Sequence, residues 1–288
     1  MRPYEGLLTA MVTPFRADGS VDEEGAVAIG RHLLANGSHG LVVAGTTGEA
    51  ATMTDEEHLG LIELIVNELG DEGTVIGGTG SNDTRHAIHL TEKAVEAGVD
   101  AVLSVTPYYN KPNRRGLLAH FSEVSKAAGD TPIVLYNIPG RTGTNMPPDL
   151  LAELAQLPNV EAVKQANSAE LQLIDGLAVL AGNDDIYGRC LDIGGVGGIC
   201  VASHVIGNQM RRMYDEPAMR AELDASLHDV YDVMFITASP APVKAALKLL
   251  GHDCGPLRLP LVECDDAERA AVQDVLARHG LLAGVTTA

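Results

Sequence analysis

Short, continuously apolar runs alternate with longer stretches of helical spacing along most of this chain. Residues 7–12 form the first apolar run. Val21, Ala26, Ile29, Leu33 and Leu34 then recur on one face, which predicts a helix over 22–36. Residues 40–45 read as a buried strand, and a helix follows over 54–68. Thr54 and Glu57 in that helix have the spacing of a capping box. The unit then repeats. Strands are predicted over 74–77, 101–105, 133–137, 160–164, 179–181 and 195–200. Helices follow over 84–96, 115–128, 148–156, 170–174, 184–191 and from His204 onward.

Runs that are apolar throughout, rather than alternating, belong to strands covered on both faces. Eight such strand–helix units predict an α/β fold, a (β/α)8 TIM barrel over residues 1–215. The remainder, 216–288, has helical spacing only, over 219–235, 240–250 and 266–279, and predicts a C-terminal helical appendage. A doubly wound open sheet is the alternative.

Composition narrows the function. Apolar residues make up 45% of 288, enough for one large core, and no apolar run approaches the ~20 residues that span a bilayer. The 20 Lys and Arg against 39 Asp and Glu give a net charge of -19, the wrong sign for a nucleic-acid partner. An anionic small substrate stays compatible, because a pocket can be locally positive. The N-terminal stretch lacks the features of a signal peptide, which favours the cytoplasm. The four cysteines form no CxxC pair and are expected to be reduced, structural thiols.

In a (β/α)8 barrel the chemistry sits where strands end at their C-terminal side. Gly45-Thr46-Thr47-Gly48-Glu49 follows the second strand, and such a glycine-flanked turn can offer N–H groups to a carboxylate. Threonine is also simply common in turns. Thr106-Pro107-Tyr108-Tyr109-Asn110-Lys111-Pro112 follows the fourth strand and places two of the 7 tyrosines side by side. A surface or subunit contact is the plainer reading of either ring. Tyr136 ends the fifth strand, and Arg141 follows in Ile138-Pro139-Gly140-Arg141-Thr142. Arginine offers a planar fork that matches a carboxylate.

Lys164 ends the sixth strand, Val160-Glu161-Ala162-Val163-Lys164. Lysine is seldom buried without a partner or a purpose. Burial favours the neutral amine, and a neutral amine attacks a ketone to give an imine. The alternative is a lysine reaching past the rim to water. Glycine-rich turns surround the last two strands, but neither is a dinucleotide fingerprint. Asp184 is expected to cap the helix it begins. The ten histidines show no metal-ligand spacing. No metal or organic cofactor is expected.

Together, Gly45-Thr46-Thr47-Gly48-Glu49, the Tyr108-Tyr109 loop, Tyr136-Asn137-Ile138-Pro139-Gly140-Arg141-Thr142 and Val163-Lys164 resemble the 4-hydroxy-tetrahydrodipicolinate synthase (dihydrodipicolinate synthase) family. That family belongs to the wider class I aldolases that include N-acetylneuraminate lyase. The resemblance runs from Gly6 into the C-terminal helices. It implies condensation of pyruvate with L-aspartate-4-semialdehyde through a Schiff base on Lys164, in lysine and diaminopimelate biosynthesis. It further implies that Tyr136 relays protons and that Thr46 links Tyr136 to Tyr109 of a neighbouring subunit. Thr47 would bind the pyruvate carboxylate and Arg141 the semialdehyde carboxylate. Gly182 and the backbone of Ile199 would line the pocket, in a homotetramer built from tight dimers. A sister aldolase acting on a sugar-derived 2-keto acid is the alternative, and Arg141 speaks for the synthase.

The sequence departs from that family's pattern in two places. Gln165 follows the lysine where many members carry Glu or Asp. Lysine-inhibited members place a His and a Glu where this chain has Asp55 and His86, although His58, Asn82 and Tyr108 match. Weak or absent feedback by lysine is expected.

Overall fold

The computed structural model describes residues 2–282; Met1 and 283–288, the end of the predicted C-terminal region, lie outside the described residues. Eight parallel strands close into a barrel in chain order: β1 (Gly6–Ala10), β2 (Gly40–Val43), β3 (Thr74–Gly78), β4 (Ala101–Val105), β5 (Ile133–Asn137), β6 (Val160–Gln165), β7 (Ala178–Ala181) and β8 (Gly197–Cys200). An outer layer of helices covers them: α1 (Glu23–Ala35), α2 (Asp55–Leu69), α3 (Thr84–Ala97), α4 (Arg114–Ala128), the four-residue α5 (Pro139–Thr142), α6 (Pro148–Leu154), α7 (Tyr187–Asp192) and α8 (Ser203–Asp215). Three more helices complete the described chain: α9 (Arg220–Val233), α10 (Ala241–Leu249) and α11 (Asp266–Arg278). The open-sheet alternative is thereby set aside.

The apolar runs bury both faces, for two different reasons. Inside the barrel, Leu8, Val42, Ile76, Leu103, Val134, Ala162, Leu180 and Ile199 form one cluster. This interior is packed with side chains and is not a pore. Between strands and helices lies a second, larger core, to which α2 contributes Leu61, Ile62, Ile65 and Leu69. Each such side chain contributes about 1.5–3 kcal/mol through removal from water. The expected capping box at Thr54 and Glu57 starts α2, and Asp265 with Glu268 starts α11 in the same way.

Closure joins the first strand to the last, with Gly6 opposite Gly197. Gly197 has a φ of 154°, and a Cβ there would stand 2.0 Å from the Gly6 carbonyl oxygen. Only glycine fits this seam. β8 begins at this residue, two positions after the predicted start.

Two expectations need correction. Residues 170–174 are not a helix: a 3-10 turn spans Ser168–Glu170, and Ile174 bridges antiparallel to Leu177 around Gly176 at a φ of 79°. The apolar pair Leu171 and Ile174 is too short a stripe to offset helix nucleation, and the glycine turns the chain. Nor does Asp184 cap its own helix. Its carboxylate accepts the N–H groups of Val201 (2.9 Å) and Ala202 (3.0 Å), which follow the neighbouring strand β8 and lead into α8.

Candidate active site

Lys164 and Tyr136 occupy paired register positions on β6 and β5. Each is only 6% exposed, and the lysine Nζ stands 4.3 Å from the centre of the tyrosine ring. Both line a cavity of about 170 Å³ at the C-terminal mouth of the barrel. Its wall also includes Thr46, Thr47, Arg141 and Gly182. Those residues come from four different strand ends, as barrel chemistry requires. A second cavity of about 370 Å³ adjoins it, sharing Thr46, Tyr136 and Arg141 and extending to His58, His86 and Tyr108.

Local structure explains the placement. Arg141 stands on α5, a single helical turn that Pro139 begins and Gly143 ends at a φ of 68°. Beneath it, Asn137 is fully buried and donates Nδ2 to Gln165 Oε1 (3.1 Å) and Asn145 Oδ1 (2.9 Å), while its own Oδ1 accepts the Met146 N–H. Gln165 Oε1 also accepts the Asn167 N–H at 2.9 Å. This amide network ties the ends of β5 and β6, and so fixes Tyr136, Arg141 and Lys164 relative to one another. It gives the unusual Gln165 a structural role, because the amide supplies the acceptor oxygen that a carboxylate would offer without burying a charge.

Two of the sequence-predicted residues stand apart from the lysine cavity. Tyr109 is 88% exposed, in a loop where its φ is 70°. Ile199 lies on β8 with its side chain in the barrel interior, one strand from Gly182 and outside the cavity wall.

The structure adds residues that sequence reasoning missed. Asn183, Phe235 and Ser239 line the lysine cavity, the last two from beyond α9. No periodicity marks them. Asp184 is 1% exposed behind the wall, and burial pushes its carboxyl up to about 6, against the pull of its two N–H donors and the Lys164 charge. Burial likewise holds the Cys200 thiol well above its ordinary value, so it is not a nucleophile. Burial pulls His58 below the usual histidine range, and its ring bonds the Gly78 carbonyl at 2.6 Å. Among the described residues, no group of three or more His, Cys, Asp or Glu could hold a metal ion. All four cysteines are free and buried. Among the described residues, no helix is long and apolar enough to cross a membrane.

An amine in a small, walled cavity, beside a phenol, a turn of N–H groups and a guanidinium, can bind a keto acid and form an imine with it. The chain is similar to the 4-hydroxy-tetrahydrodipicolinate synthase of Thermosynechococcus vestitus, 41% identical over 98% of this chain and 99% of that one. It is 42% identical to the enzyme of the same name from Methanoculleus marisnigri, over 96% of this chain and all of the other. Among solved structures, a DHDPS from Cyanidioschyzon merolae with lysine bound superposes with a TM-score of 0.94 at 37% identity, covering 98% of this chain and 100% of that one. A dihydrodipicolinate synthase from Acinetobacter baumannii, solved with pyruvate, superposes at 0.91 with 32% identity, over 96% and 99% of the two chains. The model of the dihydrodipicolinate synthetase family matches residues 3–279, and the chain belongs to that family.

Proposed function

We propose that this chain condenses pyruvate with L-aspartate-4-semialdehyde to give 4-hydroxy-tetrahydrodipicolinate, in lysine and diaminopimelate biosynthesis. The observation that carries the reading is Lys164, a lysine 6% exposed at the end of an apolar strand, in one cavity with Thr47, Tyr136 and Arg141. Its amine adds to the pyruvate ketone and water leaves, giving the imine. The imine nitrogen accepts electrons as a methyl proton departs, giving an enamine. The enamine carbon attacks the aldehyde. The amine of the semialdehyde then displaces Lys164 and closes the ring. Each step moves a proton, and the hydroxyl of Tyr136, whose ring lies against Nζ, is the group assigned to that work. Thr47 and the adjacent N–H groups receive the pyruvate carboxylate, and Arg141 receives that of the semialdehyde.

In this reading Thr46 connects Tyr136 to Tyr109, and Tyr109 serves the site of a second copy. An aromatic ring 88% exposed supports that assignment. The assembly is a homotetramer, a dimer of dimers. Residues 1–215 form the catalytic barrel and 216–288 the helical region. Four free, buried thiols suit the reducing cytoplasm.

The test is borohydride trapping with pyruvate, peptide mapping, and semialdehyde turnover measured alongside. An adduct on Lys164 with rapid condensation is expected. An adduct without condensation redirects the reading to sugar-derived aldehydes. Absence of an adduct overturns it.

A further inference from the structure

The Thr46–Thr47 turn is bracketed by two non-glycine residues with left-handed backbone, Ala44 at a φ of 53° and Glu49 at 58°. Such conformations persist where the surroundings over-determine them. Part of the restraint is local: the Thr13 hydroxyl donates to the Gly48 carbonyl at 2.7 Å, and Glu49 N–H donates to the Thr46 carbonyl at 3.1 Å. The remainder comes from beyond the barrel. Lys244 on α10 places Nζ 2.7 Å from Glu49 Oε1, with side chains 4% and 0% exposed. The other oxygen, Oε2, accepts the Arg258 N–H at 3.0 Å. The Arg258 guanidinium donates to the carbonyls of Thr52 (2.8 Å) and Gly19 (2.6 Å) and grips Glu57 with both terminal nitrogens. Both cations also face the Phe15 ring, at 4.5 Å and 4.3 Å from its centre.

An ion pair removed from water adds little net stability, because desolvation offsets attraction. What it does supply is a fixed geometry, since any other placement strands a charge. Glu49 is two residues from Thr47; its Oε2 accepts a backbone N–H, and its Oε1 is held by its charge pairing with Lys244. We infer that Lys244 and Arg258 are positioning residues, which hold Glu49 and through it set the Thr46–Thr47 turn to receive the keto-acid carboxylate. The inference rests on the roles of Lys164 and Thr47 proposed above. It makes the segment after α9 part of the reactive face.

The double variant Glu49→Gln/Lys244→Met tests this. Both charges leave together, and glutamine keeps an acceptor for the Arg258 N–H. The folded variant is expected to raise the pyruvate KM about tenfold and to slow borohydride-trappable imine formation about as much, with the semialdehyde KM unchanged. Leu276→Ala, a truncation in α11 remote from the cavity, should lower the melting temperature and leave the pyruvate KM alone. A folded double variant with parental KM and imine rate overturns the inference. Should the double variant fail to fold, Arg258→Lys keeps the charge and the backbone N–H but loses the fork; a rise in pyruvate KM of about threefold is expected, and a parental value overturns the inference. A parent chain that forms no imine overturns the reading beneath it, and the inference with it.

Discussion

Lys164 and Tyr136 are opposite one another on neighbouring strands, and the amine lies against the phenol ring at 4.3 Å from its centre. The two therefore reach the same small molecule from the same side. Lys164→Ala should abolish the borohydride adduct. Tyr136→Phe keeps the ring and removes only the hydroxyl. It should still form the imine, with turnover reduced by about 10²- to 10⁴-fold. Intact mass after trapping separates the two effects. A Phe variant with parental turnover would remove the tyrosine from proton transfer.

Arg141 lines the lysine cavity and its larger neighbour, on the single turn α5. In the proposed reaction this guanidinium pairs with the semialdehyde carboxylate, which sugar-derived aldehydes lack at that end. Arg141→Leu should raise the semialdehyde KM by about tenfold to a hundredfold, the worth of one charge-assisted hydrogen-bond pair. The yield of trapped pyruvate should not change. Steady-state kinetics with each substrate varied in turn checks both statements.

Asp55 and His86 bond one another, His86 Nε2 to Asp55 Oδ1 at 2.9 Å, and His86 Nδ1 meets Ser81 Oγ at 3.1 Å. His86 lines the larger cavity, and both of its ring nitrogens are engaged rather than offered to an incoming ligand. Rates measured with and without millimolar lysine should agree closely. Strong inhibition would show that the remaining matches, His58, Asn82 and Tyr108, suffice for feedback.

His204 makes stability depend on pH. Its Nε2 accepts the Val12 N–H at 3.2 Å, so the ring proton is on Nδ1, which donates to the Val201 carbonyl at 2.8 Å. Burial pulls this ring down to about 4 from 6.5. The unfolded chain therefore binds the extra proton first. The contribution is full above about 6.5 and is lost as pH falls toward 4, amounting to ~3 kcal/mol. Asp184 runs the other way: raised to about 6, it favours the fold below its ordinary value of 3.8 and loses that contribution as pH rises through 6. Urea unfolding between pH 4.5 and 7 should show a flatter pH dependence for His204→Gln than for the parent. His120, also pushed down to about 4 by burial, opposes Asp184 in both proteins, so the difference between them reports His204. Equal slopes would place the proton uptake elsewhere.

The strands were legible because each is a short run buried on both faces, and a local window suffices to see it. Lys164 was legible for a related reason, as a cation at the end of such a run. The helix predicted over 170–174 failed where two apolar residues had to stand for a whole face. Asp184 was misjudged because its partners, Val201 and Ala202, are on the next unit, and spacing carries no information about them. The same holds for Asn137 with Gln165, and more strongly for Glu49 with Lys244 and Arg258. Phe235 and Ser239 reach the cavity only because the chain returns to the barrel mouth after α9. Pairings of this kind are set by closure of the barrel and by the path of the chain around it.

Closure has a consequence in time. β1 waits for β8, and the Glu49 carboxylate waits for Arg258, a separation of 209 residues. Contacts this distant form slowly, since the intervening loop must be ordered first. On the ribosome, a chain that has emerged through Lys164 carries the reactive amine but has neither a sealed barrel nor a latched turn. The nucleophile therefore exists before the site does. Competence for reaction arrives only once the chain through Arg258 has emerged.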